Sequence, residues 1–408
     1  MTAEVRAAGA GRLPGAGRPP GAGRLLLLPG GLALLAGLDA ALTLAGVPAP
    51  AGSPRLAVLH GPLMVLGFLG TVIALERAVA LRQGWALLSP GVLGAGALAL
   101  VVLPDPLLGR LLLTQGMLLL VVVYAALWRR NGDPLIGVQA LGAVLAAAAA
   151  LLLTRLDVAS VVPLLVGFIV LTIGAERVEL ARLAMPADAQ LRLTAFAVAL
   201  TAAALAAVLW PVTGGRALGL AVVALTLWLV RHDVARRLVR ASGLPRFSAA
   251  ALLAGYVWLV VAGVGLVVLG SPATSAAGYD VVVHATFLGF AMSMIVAHAP
   301  VILPAVLRVR LPYHRWMWVP LVLLHVTLLG RVLTVLAEQT TAWQAALVGN
   351  VVAVLLFALV SVVTAVVATR RRPRRAGAAI PHRSRAGVPA IPSPAPAAPS
   401  PTPSEDRA

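Results

Sequence analysis

Eight ionisable side chains lie inside long apolar stretches of the sequence, and they are the first candidates for chemistry. A titratable group inside a bilayer is costly, so it is retained mainly where it has a function. The eight residues are Asp39, His60, Glu76, Glu176, His284, His298, His325 and Arg331. Their types suit metal ligation, proton transfer and the binding of a charged cofactor group.

Two of the histidines are predicted at the same depth on different helices. His60 and His284 each lie about four residues inside an apolar stretch, roughly 6 Å deep at 1.5 Å per residue, and Arg331 lies roughly 9 Å from the same side. Two imidazoles can hold one haem iron axially, and arginine can bind a propionate. We therefore predict one haem b ligated by His60 and His284 near the outer face. Arg331 would pair with a propionate, and Asp39 would orient a ligand histidine. The alternative is that both histidines are interfacial and donate to backbone carbonyls.

The other four candidates have structural interpretations that we favour. His298 and His325 fit a second cofactor centre or a proton relay, but helix–helix hydrogen bonds explain them more simply. Glu76 and Glu176 each precede an arginine at a helix end. Ion pairs between repeated units are favoured for them over a role as catalytic acids.

Composition defines the elements that position these side chains. The chain has 408 residues, 60% hydrophobic and 11% charged, and its mean hydropathy is +0.97. Soluble proteins have about 25% charged residues, so this chain is predicted to be an integral membrane protein. It has no cysteine, which excludes disulfides, thiolate metal sites and covalently attached haem. Twelve stretches approach the roughly 20 residues of a spanning helix, which predicts an all-α polytopic fold. The eighth, Ala217–Val230, is short, and the tenth is Val281–Leu307.

The arginines orient the predicted helices. They concentrate after the even-numbered helices and in both tails, and the sequence has no lysine. Because basic loops stay in the cytoplasm, both termini are predicted to be cytoplasmic and the protein to lie in the inner membrane. The net charge of +18 is then a topology signal, the lipid bilayer is the expected partner and nucleic acid is not. The tails, residues 1–24 and 370–408, are rich in Pro, Gly, Ala and Arg and are predicted to be disordered.

An internal repeat groups the helices in fours. The second and sixth helices share a Gly-Phe pair followed, after seven residues, by Glu-Arg, and the tenth has Gly-Phe with histidine in the glutamate position. These residues are Gly67, Phe68, Glu76 and Arg77; Gly167, Phe168, Glu176 and Arg177; and Gly289, Phe290 and His298. Membrane proteins often keep such repeats as weak sequence symmetry. We infer three four-helix units, at about residues 25–130, 134–233 and 248–370.

The arrangement resembles the haem–copper oxidase superfamily, in which the second and tenth helices supply the axial ligands of a low-spin haem. The segments His60-Gly61-Pro62-Leu63-Met64 and His298-Ala299-Pro300, with their Gly-Phe pairs, are more similar to the NnrS family. Members of that family are twelve-span proteins that contain haem and copper and are linked to nitric oxide stress. The resemblance covers about residues 25–369 and implies a haem between the second and tenth helices.

Two departures from the oxidase pattern limit what the resemblance implies. The oxidase copper site needs histidines on helices six and seven, but residues 158–211 contain none. His284 and His298 are fourteen residues apart, whereas the oxidases have two closely spaced histidines on the tenth helix. We therefore expect one haem and no copper centre, and it is left open whether the protein is an enzyme.

The leading functional hypothesis is a haem-binding membrane protein in the nitric oxide response or in membrane electron transfer. Its expected partner is nitric oxide or a redox protein. One alternative is a proton-coupled solute transporter that uses His298, His325 and the glutamates as a proton path. Another is an assembly factor without a cofactor. The sequence has no P-loop, no HExxH and no dinucleotide-binding glycine motif, so ATP-driven transport, zinc proteolysis and NAD chemistry lack support.

Overall fold

The computed structural model describes residues 22–307 and 311–370, so most of both predicted tails lies outside the described residues. Within these ranges the chain is all-α without strands, and twelve helices are long and apolar enough to cross a membrane. The predicted fold class is confirmed, and the protein is a multi-pass integral membrane protein. The spanning helices are α1 Leu25–Leu44, α2 His60–Leu81, α3 Gly84–Val102, α4 Leu107–Asn131, α5 Pro134–Leu152, α6 Val158–Leu180, α7 Ala189–Leu209, α8 Pro211–His232, α9 Gly243–Val268, α10 Ala276–Val301, α11 Arg315–Leu336 and α12 Thr340–Thr369.

Apolar side chains cover the outside of the bundle. On α12, Leu355, Leu359, Val362 and Val363 are each at least 40% exposed. A surface that faced water would not carry such a large apolar patch, so hydrocarbon is the solvent that it suits.

Local sequence signals set the helix ends. Asp133, Asp157 and Ser275 each accept a hydrogen bond from a backbone N–H in the first turn of the helix that follows, which satisfies a donor left free at that end. The N–H of Ser160 lowers the pKa of Asp157, because the hydrogen bond stabilises the charged carboxylate. At the other end of α4, Gly132 takes the left-handed conformation with φ of 63°.

Three helices form the centre of the bundle. Of the twelve spans, α6 is the most buried: 83% of its most apolar segment is buried. The corresponding share for α10 is 72%. Both α2 and α6 contact α10. These are the second helices of the three inferred units, and Phe168 and Phe290 of their Gly-Phe pairs are fully buried.

Two of these central helices depart from α-helical geometry. Leu63–Gly70 in α2 and His284–Ala291 in α10 are π-helical, and each contains a repeated Gly-Phe pair. The third, α6, is α-helical from end to end. Single π-helical turns are frequent at functional sites, and a π-helix is wider than an α-helix. Each π segment begins within three residues of a histidine, His60 or His284.

Several helices, among them α8 and α10, begin earlier than the sequence predicts. α8 begins at Pro211 rather than Ala217, because proline fits the first turn and Gly214 lets the helix start against α7. A Cβ on Gly214 would lie 2.3 Å from the Ala206 carbonyl carbon. α10 begins at Ala276 rather than Val281, because Ser275 caps it. Asp280 is therefore inside the helix, not at its boundary.

The even-numbered helices all begin at one end of the bundle. We call this end, which carries His60, Asp280 and His284, the histidine end. The opposite end, which carries Arg77 and Arg177, is the arginine end.

Candidate functional site

The structure brings the imidazole rings of His60 and His284 close together at the histidine end. Their ring centroids are 6.4 Å apart, and the ring planes differ by 19°. His60 is the first residue of α2, and His284 is the first residue of the π segment in α10. The two predicted ligands are therefore neighbours across the α2–α10 contact.

Both imidazoles are fixed in the same tautomer. His60 Nδ1 lies 2.8 Å from the Gly37 carbonyl oxygen, and His284 Nδ1 lies 2.8 Å from the Asp280 carbonyl oxygen. A carbonyl can only accept a hydrogen bond, so each Nδ1 carries the proton and donates. Each Nε2 is then the basic nitrogen and is available as a ligand.

A buried ion pair fixes the position of His284. Arg331 Nε donates to Asp280 Oδ2 at 3.0 Å, and its Nη2 donates to Oδ1 at 2.5 Å. Trp343 Nε1 also donates to Oδ2, at 3.4 Å, and its ring lies 5.3 Å from the Arg331 guanidinium carbon. Asp280 Oδ1 is 3.3 Å from His284 Nδ1. Three helices, α10, α11 and α12, thus converge on one imidazole.

Asp39, which the sequence suggests as the orienting carboxylate, has a different partner. Its Oδ1 accepts the backbone N–H of Ala51 at 2.8 Å. The acceptors of the two imidazoles are the Gly37 and Asp280 carbonyls instead. The prediction for Asp39 is wrong because Gly37, two residues earlier on α1, presents its carbonyl to His60.

Two cavities meet at the histidine pair. The histidine cavity, about 70 Å³, lies between α2 and α10 and is lined by both histidines, Met64, Phe68 and Phe287. The vestibule, about 800 Å³ and more open, is lined by both histidines and by Asp280. Arg331 lines both cavities and is 5% exposed. The pair therefore has an apolar slot on one side and a polar entrance on the other.

At the arginine end, His298 belongs to a saturated network. Its Nδ1 donates to the Met294 carbonyl at 2.8 Å, so Nε2 accepts from Arg177 Nη1 at 3.1 Å. Arg177 also makes two 2.9 Å bonds to Asp233, and Tyr256 donates to the same carboxylate at 2.7 Å. Both nitrogens of His298 are used, which is the helix–helix hydrogen bond that the sequence favours over a second centre.

Asp233 lies just after α8, outside the membrane-spanning segments, and is buried. Burial raises its pKa, but the hydrogen bonds and positive charge of Arg177 outweigh that effect. The pKa of Asp233 therefore lies below its ordinary value, and the carboxylate is charged when it pairs with Arg177.

The two glutamates pair across the units. Arg77 Nη2 donates to Glu176 Oε1 at 2.7 Å and to Glu76 Oε1 at 3.0 Å. Glu76, Glu176 and His298 line a further cavity of about 120 Å³, the inner cavity, among α2, α6 and α10. The described residues contain no group of three or more His, Cys, Asp or Glu placed to hold a metal ion.

These contacts follow the internal repeat. Arg77 of the first unit contacts Glu176 of the second, and Arg177 of the second contacts His298 of the third. The glutamates and His298 occupy equivalent positions in the repeat. In the third unit, Ala299 occupies the position that Arg77 and Arg177 occupy in the other two. The third unit therefore has no equivalent arginine to pair with the first unit. The three repeated units themselves stay a prediction.

His325 lies apart from both ends' networks. Its Nδ1 accepts the indole N–H of Trp258 at 2.9 Å, and the two rings stack. Its Nε2 is buried without a hydrogen-bond partner among the described residues. No contact links it to His298, so the structure does not bring the proposed proton-path residues into one chain.

Three residues of the histidine site are absent from the sequence-based predictions: Gly37, Asp280 and Trp343. Asp280 precedes His284 by four residues, the spacing that puts two side chains on one helix face. This spacing would identify Asp280 if the helix were predicted to begin at Ala276. Gly37 acts through its backbone and Trp343 through a distant helix, so neither carries a local signal.

Fold and site together define a multi-pass helical membrane protein with two neighbouring imidazoles, each donating Nδ1–H to a backbone carbonyl, between its second and tenth helices. Residues 24–366 match the model of a family described as a domain of unknown function, DUF8744. Because the match covers most of the chain, the protein belongs to that family. The comparison with curated proteins and the comparison with solved structures each return no match. The functional conclusion therefore rests on the geometry of the site.

Proposed function

We propose that the protein binds one haem b between α2 and α10, with His60 and His284 as axial ligands. It would serve membrane electron transfer or a response to nitric oxide, as its resemblance to the NnrS family suggests. The observation that carries the proposal is the neighbouring pair of imidazoles whose Nδ1 atoms are both engaged by carbonyls.

The spacing of the rings supports this assignment. Two axial bonds of about 2 Å, with each nitrogen about 1 Å from its ring centre, place two ligand rings roughly 6 Å apart. The observed separation is 6.4 Å. A hydrogen bond from Nδ1–H to a carbonyl is also the usual way in which a ligating histidine is oriented and made more basic.

The surroundings of the pair suit the cofactor. The histidine cavity has mostly apolar walls, as a haem ring requires, but at about 70 Å³ it is smaller than the usual cofactor pocket of roughly 300–1,000 Å³, so α2 and α10 would have to separate when the ring binds. Arg331 lines both this cavity and the vestibule, where a propionate would need a cation. The ion pair with Asp280 uses Nε and Nη2, and Nη1 is the group that we assign to a propionate.

When bound, the haem would supply a one-electron redox centre and an iron that can bind small molecules. The chain's own residues would hold it and tune it. His60 and His284 present unprotonated Nε2 atoms, Gly37 and Asp280 fix their orientation, and the apolar wall limits water.

Absorption spectroscopy of the purified protein tests the proposal. Protein from haem-replete cells should show a low-spin b-type spectrum, and pyridine haemochrome analysis should give about one haem per chain. His60→Ala and His284→Ala should each abolish the low-spin spectrum, because each removes one axial bond.

His325→Gln and His314→Ala serve as controls and should keep the wild-type spectrum. His325 is an intramembrane histidine outside the pair, and His314 is exposed. Wild-type protein without haem, or a low-spin spectrum that survives in both alanine variants of the pair, would refute the proposal.

A further inference from the structure

The two imidazoles of the histidine pair are held with unequal strength. His284 lies eight residues inside α10, and Asp280 contacts its Nδ1 through both the backbone carbonyl, at 2.8 Å, and the carboxylate, at 3.3 Å. Asp280 is in turn fixed by Arg331 and Trp343. A carboxylate behind a ligand histidine fixes the ring and strengthens its donor nitrogen.

His60 has a much lighter support. It is the first residue of α2, directly after a turn at Leu59 that follows the short helix Pro54–Ala57. One hydrogen bond, to the Gly37 carbonyl, orients its ring. No carboxylate contacts it among the described residues, so both its position and its basicity are less well supported than those of His284.

From this asymmetry we propose that His284 is the fixed axial ligand and His60 the exchangeable one, which gives way to a small neutral diatomic ligand. The inference rests on the proposed haem site. His60 Nε2 would break its bond to the iron and the diatomic would form one bond in its place. No electron or proton is transferred, because Nε2 carries no proton in this tautomer.

The cavity explains why the ligand class is small and neutral. Next to His60 the histidine cavity is lined by apolar residues such as Met64 and Phe68, which offer an anion no compensating charge. The cation of the site, Arg331, is already paired with Asp280. A diatomic gas needs neither a charge partner nor hydrogen bonds, and it can cross the lipid that surrounds the bundle.

Carbon monoxide binding to the reduced, haem-loaded protein in detergent tests the inference. His60→Ala should keep most of its haem, become five-coordinate and bind carbon monoxide about tenfold more tightly than wild type or better. The gain arises because an internal competitor is removed. His284→Ala should lose most of its haem during purification, because the remaining ligand is the weakly supported one.

External imidazole separates the loss of a ligand from misfolding. Added to His60→Ala, it should restore the low-spin spectrum, and it should compete with carbon monoxide. Trp343→Phe keeps a ring near Arg331 but removes the donor to Asp280. We expect that adding it to both His60→Ala and His284→Ala makes the haem retention of these two variants more similar.

The inference would be overturned by equal haem retention in the two alanine variants, by the reverse order, or by wild-type protein that binds no carbon monoxide at 1 atmosphere. Each of those results is compatible with a low-spin haem in wild type. Failure of the inference is therefore distinguishable from failure of the haem proposal, in which wild type has no haem at all.

Discussion

The histidine end and the arginine end of the same three central helices use similar side chains in opposite ways. At the arginine end, Arg177 donates hydrogen bonds to both His298 and Asp233, and both ring nitrogens of His298 are bonded. At the histidine end, His60 and His284 line a cavity, and neither Nε2 has a hydrogen-bond partner among the described residues. Polar groups that are bonded to each other stabilise the fold, whereas an unbonded ring nitrogen at a cavity is available to a ligand.

Backbone geometry also differs between the arginine end and the histidine end. α6, which supplies Glu176 and Arg177 to the arginine end, is a regular α-helix. α2 and α10 are π-helical beside His60 and His284. The histidine end thus combines a cavity with irregular helices, and the arginine end combines hydrogen-bonded charges with a regular one.

Breaking the buried ion pair at the arginine end should have the largest effect on stability. Asp233→Asn leaves Arg177, whose side chain is 5% exposed, without its charged partner. Loss of one member of a buried pair costs about 3–5 kcal/mol of unfolding free energy. Denaturant titration in mixed micelles measures the change.

The matched control for that variant is Asp188→Asn, which breaks an exposed pair with Arg192 on α7. Those side chains are 45% and 52% exposed, so the cost should be below about 1 kcal/mol. Similar costs at Asp188 and Asp233 would contradict the description of the arginine end as a tightly saturated network.

The second comparison is between the stability costs of replacing one histidine at each end, His298 and His60, in haem-free protein. His298→Ala leaves Arg177 Nη1 without its 3.1 Å acceptor in a buried setting, and should cost about 1–3 kcal/mol. His60→Ala removes a ring that borders a cavity and one hydrogen bond, so its cost should be near 1 kcal/mol. His298→Gln, which retains an acceptor, should recover part of the loss.

The reverse order of cost would indicate that the histidine pair is a structural contact rather than a site prepared for a ligand. Thermal unfolding monitored by tryptophan fluorescence is sufficient to rank the three variants.

The support of His60 by α1 can be tested at a glycine. A Cβ on Gly37 would lie 2.6 Å from Met64 Sδ, so Gly37→Ala should push this flexible side chain into the histidine cavity. We expect a stability cost of about 1 kcal/mol or less and a clear fall in haem occupancy. Gly31→Ala on the same helix meets nothing within 4 Å and should keep full occupancy.

The fold was largely predictable because the length of each apolar stretch is a local property of the chain. Twelve spans and the pairing of glutamates between units follow from residue type and spacing, whereas the contact between His60 and His284 could not be deduced from the sequence. The long α8 was missed because Arg216 and the glycines before it resemble a loop in sequence. Only its packing against α7 makes that segment helical.

The support of the histidine site was less predictable for a physical reason. Asp280 acts in α10 only because Ser275 starts the helix early, and Trp343 reaches it from a helix 63 residues away. The sequence suggested Asp39 as the orienting carboxylate, but a backbone carbonyl can orient an imidazole equally well, and backbone acceptors have no sequence signature.

The smallest expected effect is a dependence of stability on acid pH. The folded pKa of Asp233 lies below its ordinary value of 3.8, since the hydrogen bonds and charge of Arg177 outweigh the effect of burial. The unfolded chain therefore binds a proton at Asp233 at a higher pH than the folded chain does. The stability from this pair is fully present above about pH 4 to 5 and is lost as the pH falls through the folded pKa, by at most about 1.4 kcal/mol per pH unit. Thermal unfolding of wild type and Asp233→Asn between pH 6 and pH 3 should show the gap between them constant at first and narrowing below about pH 4. A gap that widens toward acid would mean that the carboxylate is protonated in the folded protein, and the arginine end would then lack the charge pair that sets it apart from the histidine end.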